Sequence, residues 1–343
     1  MSLFSHSQHE PSPPEQMESM LAGHFVAECL HVVAVLGIAD LLSKGHTTIK
    51  ALALATGCDA LSLHRLLRAL ASVNVFTETA PGQFQLTPLG ETLRSDLPES
   101  LRDKAIFEIS APMWSAWGSL LDALRSGAPS FPLVHNATVY EYLAKHAELG
   151  AVFNRFMTAQ SRLHNAAIVG AYDFSGVQTL VDVGGGHGAT LAAVFKRYPM
   201  VKGILFDLPE VVATALFKSS DDTAQCEVVG GNMLQSVPAG GDAYLIKRVM
   251  MDKTDDEAIT VLRNCIAAMN TAGRILVIDP MLPRDAEPHL NWFTDMLMLV
   301  VTRGRCRTEA EFRDLFNAAG LTLERVIPTR SSNFILEGAR YDR

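Results

Sequence analysis

Apolar positions follow two rhythms along this chain, and the change of rhythm divides it. From Glu18 to about Asp96 the spacing is first helical, with Phe25, Cys29, Val32, Val33 and Leu36 on one face. Two further amphipathic helices are expected over 48–55 and 62–73, parted by Gly57-Cys58-Asp59. Short runs at 76–78 and 83–86 then flank Pro81-Gly82, a hairpin signal. Helices followed by a hairpin describe a winged helix. Segments 101–126 and 139–169 read as two longer helical stretches. From Val177 short apolar runs alternate with helical ones, placing strands at 178–183, 202–207, 226–230, 242–247 and 274–279, with two late strands near 323–327 and 333–337. That alternation predicts an α/β fold, a doubly wound seven-stranded sheet with its ligand at the strands' carboxyl ends. The expected organisation is a disordered polar arm over 1–17, a winged-helix domain over 18–98, a helical connector over 99–170 and an α/β domain over 171–343.

Composition narrows the function classes. The 343 residues carry a formal charge of −8, which opposes nonspecific affinity for nucleic acid or anionic membranes. A winged helix often binds DNA, but its second helix offers only His64, Arg65 and Arg68 among leucines, with no basic stripe, so dimerisation is the expected role. No uninterrupted apolar run approaches a membrane span, and the Pro-rich start lacks the pattern of a secretory signal. Five scattered cysteines without C-x-x-C spacing suit free thiols in a reducing cytoplasm and give no zinc signature.

The densest chemistry lies after the first α/β strand. Thr179–Val183 runs through Asp182 into Gly184-Gly185-Gly186-His187-Gly188, and the next strand ends in Asp207. Glycines serve where backbone turns tightly and approaches a ligand, and an acidic residue closing the second strand is placed to bind a ribose diol. The spacing differs from the dinucleotide pattern G-x-G-x-x-G.

Taken with 206–212, Gly230-Gly231-Asn232-Met233, 244–252 and 307–312, this stretch makes the chain resemble, from about residue 18, the small-molecule O-methyltransferases of the plant caffeate and bacterial polyketide or phenazine type. The resemblance implies a class I methyltransferase domain behind a winged-helix dimerisation domain, S-adenosyl-L-methionine as cofactor, a homodimer, and a small aromatic or heteroaromatic substrate. It places Gly184 and Gly186 at the methionine part, Asp207 at the ribose, Asn232 and Met233 at the adenine, Lys247 in the cofactor wall and Ser161 near the carboxylate.

The catalytic pattern departs from that family. Its leucine-histidine-aspartate-tryptophan segment reads Met250-Met251-Asp252-Lys253, so Met251 stands where the histidine base belongs, and a thioether cannot abstract a proton. Of the two flanking acids, one matches Asp279 and the other falls on Cys306. Three readings follow. An already nucleophilic oxygen, nitrogen or carbon acceptor needs no strong base and reacts through alignment. Alternatively another group serves as base, the candidates being Asp252, Asp279, His289, Asp295 and His164. In the third, the fold binds the cofactor but does other chemistry. A metal is not expected, since no candidate pair has helix-face ligand spacing. Trp114, Trp117, Phe131, Phe153, Phe156 and Met157 are either core or walls for a flat substrate.

Overall fold

The computed structural model describes residues 11–217, 225–285 and 287–341. The chain forms two compact units, one running to Trp114 and joined by Ala147–Ala159, the other comprising Ser115–His146 and Gln160 onward. The expected 99–170 connector is therefore divided between them.

In the first unit, helices Ile38–Ser43, Ile49–Thr56 and Ala60–Ala71 precede a hairpin of β1 (Phe76–Ala80) and β2 (Gln83–Leu86). Thr48 and Asp59 cap the second and third helices by accepting Ala51 and Ser62 N–H groups. Leu52, Leu63, Leu67, Leu70, Phe76 and Phe84 make the core. His64 meets Glu78 of β1 at 2.7 Å, and Arg68 lies 3.6 Å from the same carboxylate.

The expected arm over 1–17 needs correction where it is described. Residues 1–10 lie outside the described residues, but helix Pro13–Leu21 begins within the arm. The Glu15 carboxylate accepts from both the Ser12 N–H and hydroxyl, and Pro13 is preset for a first helical turn. With Gly23–Val35 it forms a helical run that has the length and apolar composition to cross a membrane. The stretch 101–126 is three helices rather than one, Arg102–Glu108, Ala111–Gly118 and Leu120–Ser126, with Pro112 opening the second. His146 leaves helical geometry and splits Val139–Lys145 from the 25-residue Ala147–Ala171.

The second unit holds all seven expected strands: β3 (Thr179–Val183), β4 (Lys202–Asp207), β5 (Cys226–Gly230), β6 (Ala243–Lys247), β7 (Arg274–Pro280), β8 (Leu321–Pro328) and β9 (Asn333–Arg340). Their order is β5-β4-β3-β6-β7-β9-β8, parallel through β7, with β9 antiparallel to both neighbours. Successive side chains point to opposite faces, and both faces are covered. Val181, Val183, Tyr244, Ile246, Ile275 and Val277 pack with helices Asp255–Ala268 and Glu309–Ala319. Leu180, Leu205, Leu245, Leu276 and Ile278 pack with Ile168, Val169, Leu191 and Val194. The order reverses between β3 and β6, which opens a crevice at their carboxyl ends.

Candidate active site

The glycine turn after β3 forms one wall of that crevice. Gly184, Gly186 and Gly188 have φ of +72°, +59° and +86°, the left-handed region that glycine enters without steric cost. A Cβ on Gly184 would lie 2.7 Å from Val249 Cγ2 and 3.1 Å from Met233 Cε, so the backbone there sits flush against neighbouring side chains. Above Gly186 nothing lies within 4 Å of such a Cβ. The Gly186 N–H donates to Asp207 Oδ2 at 2.8 Å and the Leu208 N–H to Oδ1 at 2.7 Å. Burial pushes the Asp207 carboxyl up, and these two bonds oppose it.

Beneath the turn, Asp182 is 1% exposed and neither carboxylate oxygen has a hydrogen-bond partner among the described residues. Lys247, at the end of β6, donates from Nζ to Ser161 Oγ at 2.6 Å. Burial raises the Asp182 pKa and lowers that of Lys247, while their mutual attraction opposes both shifts. An open glycine cradle, an unpaired buried carboxylate and an amine–hydroxyl pair fit a ligand carrying an amino acid group, since each can still take a polar partner. Met233 packs over Gly184. Asn232 is exposed and its Oδ1 already accepts the Leu234 N–H at 2.9 Å, so the side chain also shapes its own turn.

Across the crevice, Met250–Asp252 forms a single 3-10 turn in which Met250 and Met251 are buried. The Met251 N–H donates to Asp279 Oδ2 at 2.9 Å, while Asp279 Oδ1 has no hydrogen-bond partner among the described residues. Burial is the main cause that pushes the Asp279 carboxyl up to about 7. Arg307, 1% exposed, donates to the carbonyls of Met250 at 2.7 Å and Lys253 at 2.9 Å and pairs with Asp255. A Cβ on Gly304 would fall 2.0 Å from the Met251 carbonyl oxygen. The turn is held from three sides.

Asp252 Oδ2 accepts the Tyr140 hydroxyl at 2.5 Å, and the Lys253 ammonium lies 5.9 Å from that ring's centroid. Burial raises the pKa of both Tyr140 and Asp252. Asp295 Oδ1 accepts the Cys306 N–H at 2.8 Å, and burial pushes the Cys306 thiol up to about 12, so sulfur replaces a second acid with a neutral group. His164 Nδ1 lies 3.2 Å from Asn333 Nδ2. His289 is exposed and its Nδ1 accepts the Asn291 N–H, which ties it to the start of helix Asn291–Val301. The structure thus joins Asp279 and Asp252 to the Met251 turn and sets His289 at a helix end. Of the aromatics, Phe153 and Phe156 pack against Phe107, and Phe131 packs against His135 and Tyr142. Sequence reasoning passed over Tyr140, in an unremarkable amphipathic helix, and gave Asp182 and Arg248 no role although both sit inside recognised motifs.

Comparison with known proteins accounts for both units. A family profile for an O-methyltransferase domain matches residues 117–322, and one for an O-methyltransferase dimerisation domain matches 18–96. The chain is 39% identical over 320 residues to a phenazine O-methyltransferase of Lysobacter antibioticus, covering 93% of this chain and 94% of that one. It is 32% identical over 323 residues to a phenazine-1-carboxylate N-methyltransferase of Pseudomonas aeruginosa, covering 94% and 96%. A solved O-methyltransferase from neocarzinostatin biosynthesis, in complex with S-adenosylmethionine and 2-hydroxy-5-methyl naphthoic acid, superposes with a TM-score of 0.81 at 29% identity, covering 97% and 100%. With both profiles matched, the chain belongs to the S-adenosylmethionine-dependent O-methyltransferase family.

Proposed function

We propose that this methyltransferase acts on an oxygen or nitrogen of a small aromatic or heteroaromatic specialised metabolite, and does so without a histidine base. The observation that carries this reading is the Met251 turn: it is clamped by Asp279, Arg307 and Gly304, yet a thioether occupies the base position. S-adenosylmethionine supplies an electrophilic methyl group on a sulfonium. Gly186 leaves room for its methionine part beside the left-handed turn at Gly184, Asp207 would accept from the ribose hydroxyls, and Asn232 and Met233 would border the adenine. Lys247 and Ser161 would meet the methionine carboxylate end, with Asp182 beneath the turn balancing the Lys247 charge. Alignment of the acceptor by a fixed turn can supply about 7–11 kcal/mol of the barrier, which removes the need for a strong base when the acceptor is already nucleophilic.

The working unit in this reading is a cytoplasmic homodimer with neither nucleic acid nor membrane as partner. The dimerisation profile, the exposed Met20, Leu21 and Phe25 of the first helices, and five free cysteines support it. So does the engagement of His64 and Arg68 by Glu78.

The test is calorimetry with S-adenosylmethionine, followed by mass spectrometry of phenols, enols and N-heteroaromatics incubated with enzyme and cofactor. A 14 Da gain on the more acidic or more nucleophilic acceptors is expected. Tight cofactor binding with no methylated product would favour a non-methylating reaction on the same fold.

A further inference from the structure

Among the described residues, three that are not glycine have positive φ: Asn74, Asn136 and Arg248. Asparagine enters that region readily, whereas arginine does so rarely and at a cost of about 1–2 kcal/mol. Arg248, at φ +55°, directly follows β6. Its N–H donates to the Ile278 carbonyl at 2.9 Å, and Lys247 pairs with Ile278 in the β6–β7 register, so Arg248 stands alongside Asp279 at the carboxyl edge of the sheet. The left-handed step brings Val249 against Gly184 and lets the Met251 N–H reach Asp279. Glycine or asparagine would make the same step with less strain; a guanidinium is what arginine adds. Yet its guanidinium forms no hydrogen bond or ion pair among the described residues.

We propose that Arg248 holds the acceptor as its anion, pairing with the ionised oxygen of an acidic aromatic hydroxyl beside the Met251 turn. The inference rests on the methyltransferase reading above and names its substrate class. The hydroxyl proton passes to solvent as the acceptor binds. The oxygen lone pair then forms the new O–CH3 bond as the S–CH3 bond breaks, and the donor's positive and the acceptor's negative charge cancel. The charged and titratable groups around Arg248 are Lys247 on β6, Asp252 on the turn, Asp279 on β7, Tyr140 on helix Val139–Lys145 and Cys306 before helix Glu309–Ala319. Burial disfavours the charged form of both carboxyls, of Tyr140 and of Cys306, and the Arg248 guanidinium acts against that shift at each of them, so it supplies positive charge at this edge of the sheet.

The experiment uses 1-hydroxyphenazine, whose neutral and ionised forms differ in visible absorbance, bound to the full-length protein with S-adenosylhomocysteine. Its ionisation midpoint is read across pH for the parent protein, Arg248→Asn and Arg248→Lys. Asparagine suits the left-handed backbone, and cofactor calorimetry reports that each variant is folded. Binding to the parent should lower the midpoint by roughly 1–3 pH units; Arg248→Asn should abolish that shift, and Arg248→Lys should keep most of it. A probe bound in its neutral form, or an equal midpoint in the parent and Arg248→Asn, overturns the proposal. An arginine that merely balances Asp252 and Asp279 would give that second result, with a lowered Tm. Methylation of the same probe with S-adenosylmethionine is scored separately, so a neutral bound probe that is still methylated removes the anion role and leaves the methyltransferase reading standing.

Discussion

The glycine wall and the Met251 turn face one crevice but are fixed by different means. In the first, backbone does the holding: Asp207 takes two N–H groups, and left-handed glycines shape the path. In the second, side chains grip the backbone: Asp279 takes the Met251 N–H, and Arg307 takes the carbonyls on either side. Both are held by several bonds, yet the cofactor side departs from the family pattern only in Asn232, where an aspartate is usual, whereas the second wall lacks both its histidine and one of its acids. A well-held turn with a thioether at the histidine position separates placing the acceptor from removing its proton. In the proposed reading the fold performs the first, and the second rests on the acceptor's own acidity, with Arg248 favouring its anion.

The largest effect should come from giving the second wall its base. Met251→His is expected to raise kcat/KM for a weakly acidic phenol by about 100-fold or more, the scale of general-base catalysis, with little change for an acidic acceptor. Equal gains on both would mean that proton removal limits even the favoured substrate. Next, Asp207→Ala should weaken S-adenosylmethionine binding by about 1.5–3 kcal/mol, roughly 10- to 150-fold by calorimetry, since a charged acceptor is lost. An unchanged Kd would move the ribose away from Asp207 and break the contrast.

Asp279 gives a pH signature. Its carboxyl, at about 7 in the fold against an ordinary 3.8, binds its proton more tightly folded than unfolded. Stability therefore declines as pH rises from about 4 to about 7 and levels off above that. Asp279→Asn removes this dependence and still accepts the Met251 N–H through its amide oxygen. Its Tm should gain on the parent protein by a few degrees between pH 5 and pH 8, on the order of 2 kcal/mol. A constant difference would show that the carboxylate is stabilised by groups around it. The smallest effect is expected from Tyr140→Phe, which removes one hydrogen bond to Asp252 and should cost about 1 kcal/mol of stability. A rate loss out of proportion to that would make the hydroxyl part of the chemistry.

Much of this arrangement was legible along the chain. The central strands β3, β6 and β7 were readable because they bury both faces and carry apolar runs, and the outer ones because their apolar positions still recur between turn residues. The glycine turn and Asp207 were readable because left-handed backbone and a strand-end carboxylate leave residue-type signatures. The arm's helical start was passed over because Ser12-Pro13-Pro14-Glu15 reads as polar and Pro-rich, although its spacing is that of a helix cap. The 101–126 stretch kept an apolar period across breaks that Pro112 and Ser119 impose.

The sequence by itself determined the α/β order, the glycine turn after β3 and the absence of a histidine at the base position, because these depend on local residue types and on spacing within single segments. Tertiary structure alone decided what surrounds that position. Tyr140 meets Asp252 across 112 residues, Arg307 reaches Met250 across 57, and Asp279 takes the Met251 N–H across 28. None of these partnerships has a periodicity or motif to announce it. Each follows from which strand ends the sheet brings side by side, and from burial that strips water from polar groups and leaves them only one another as partners.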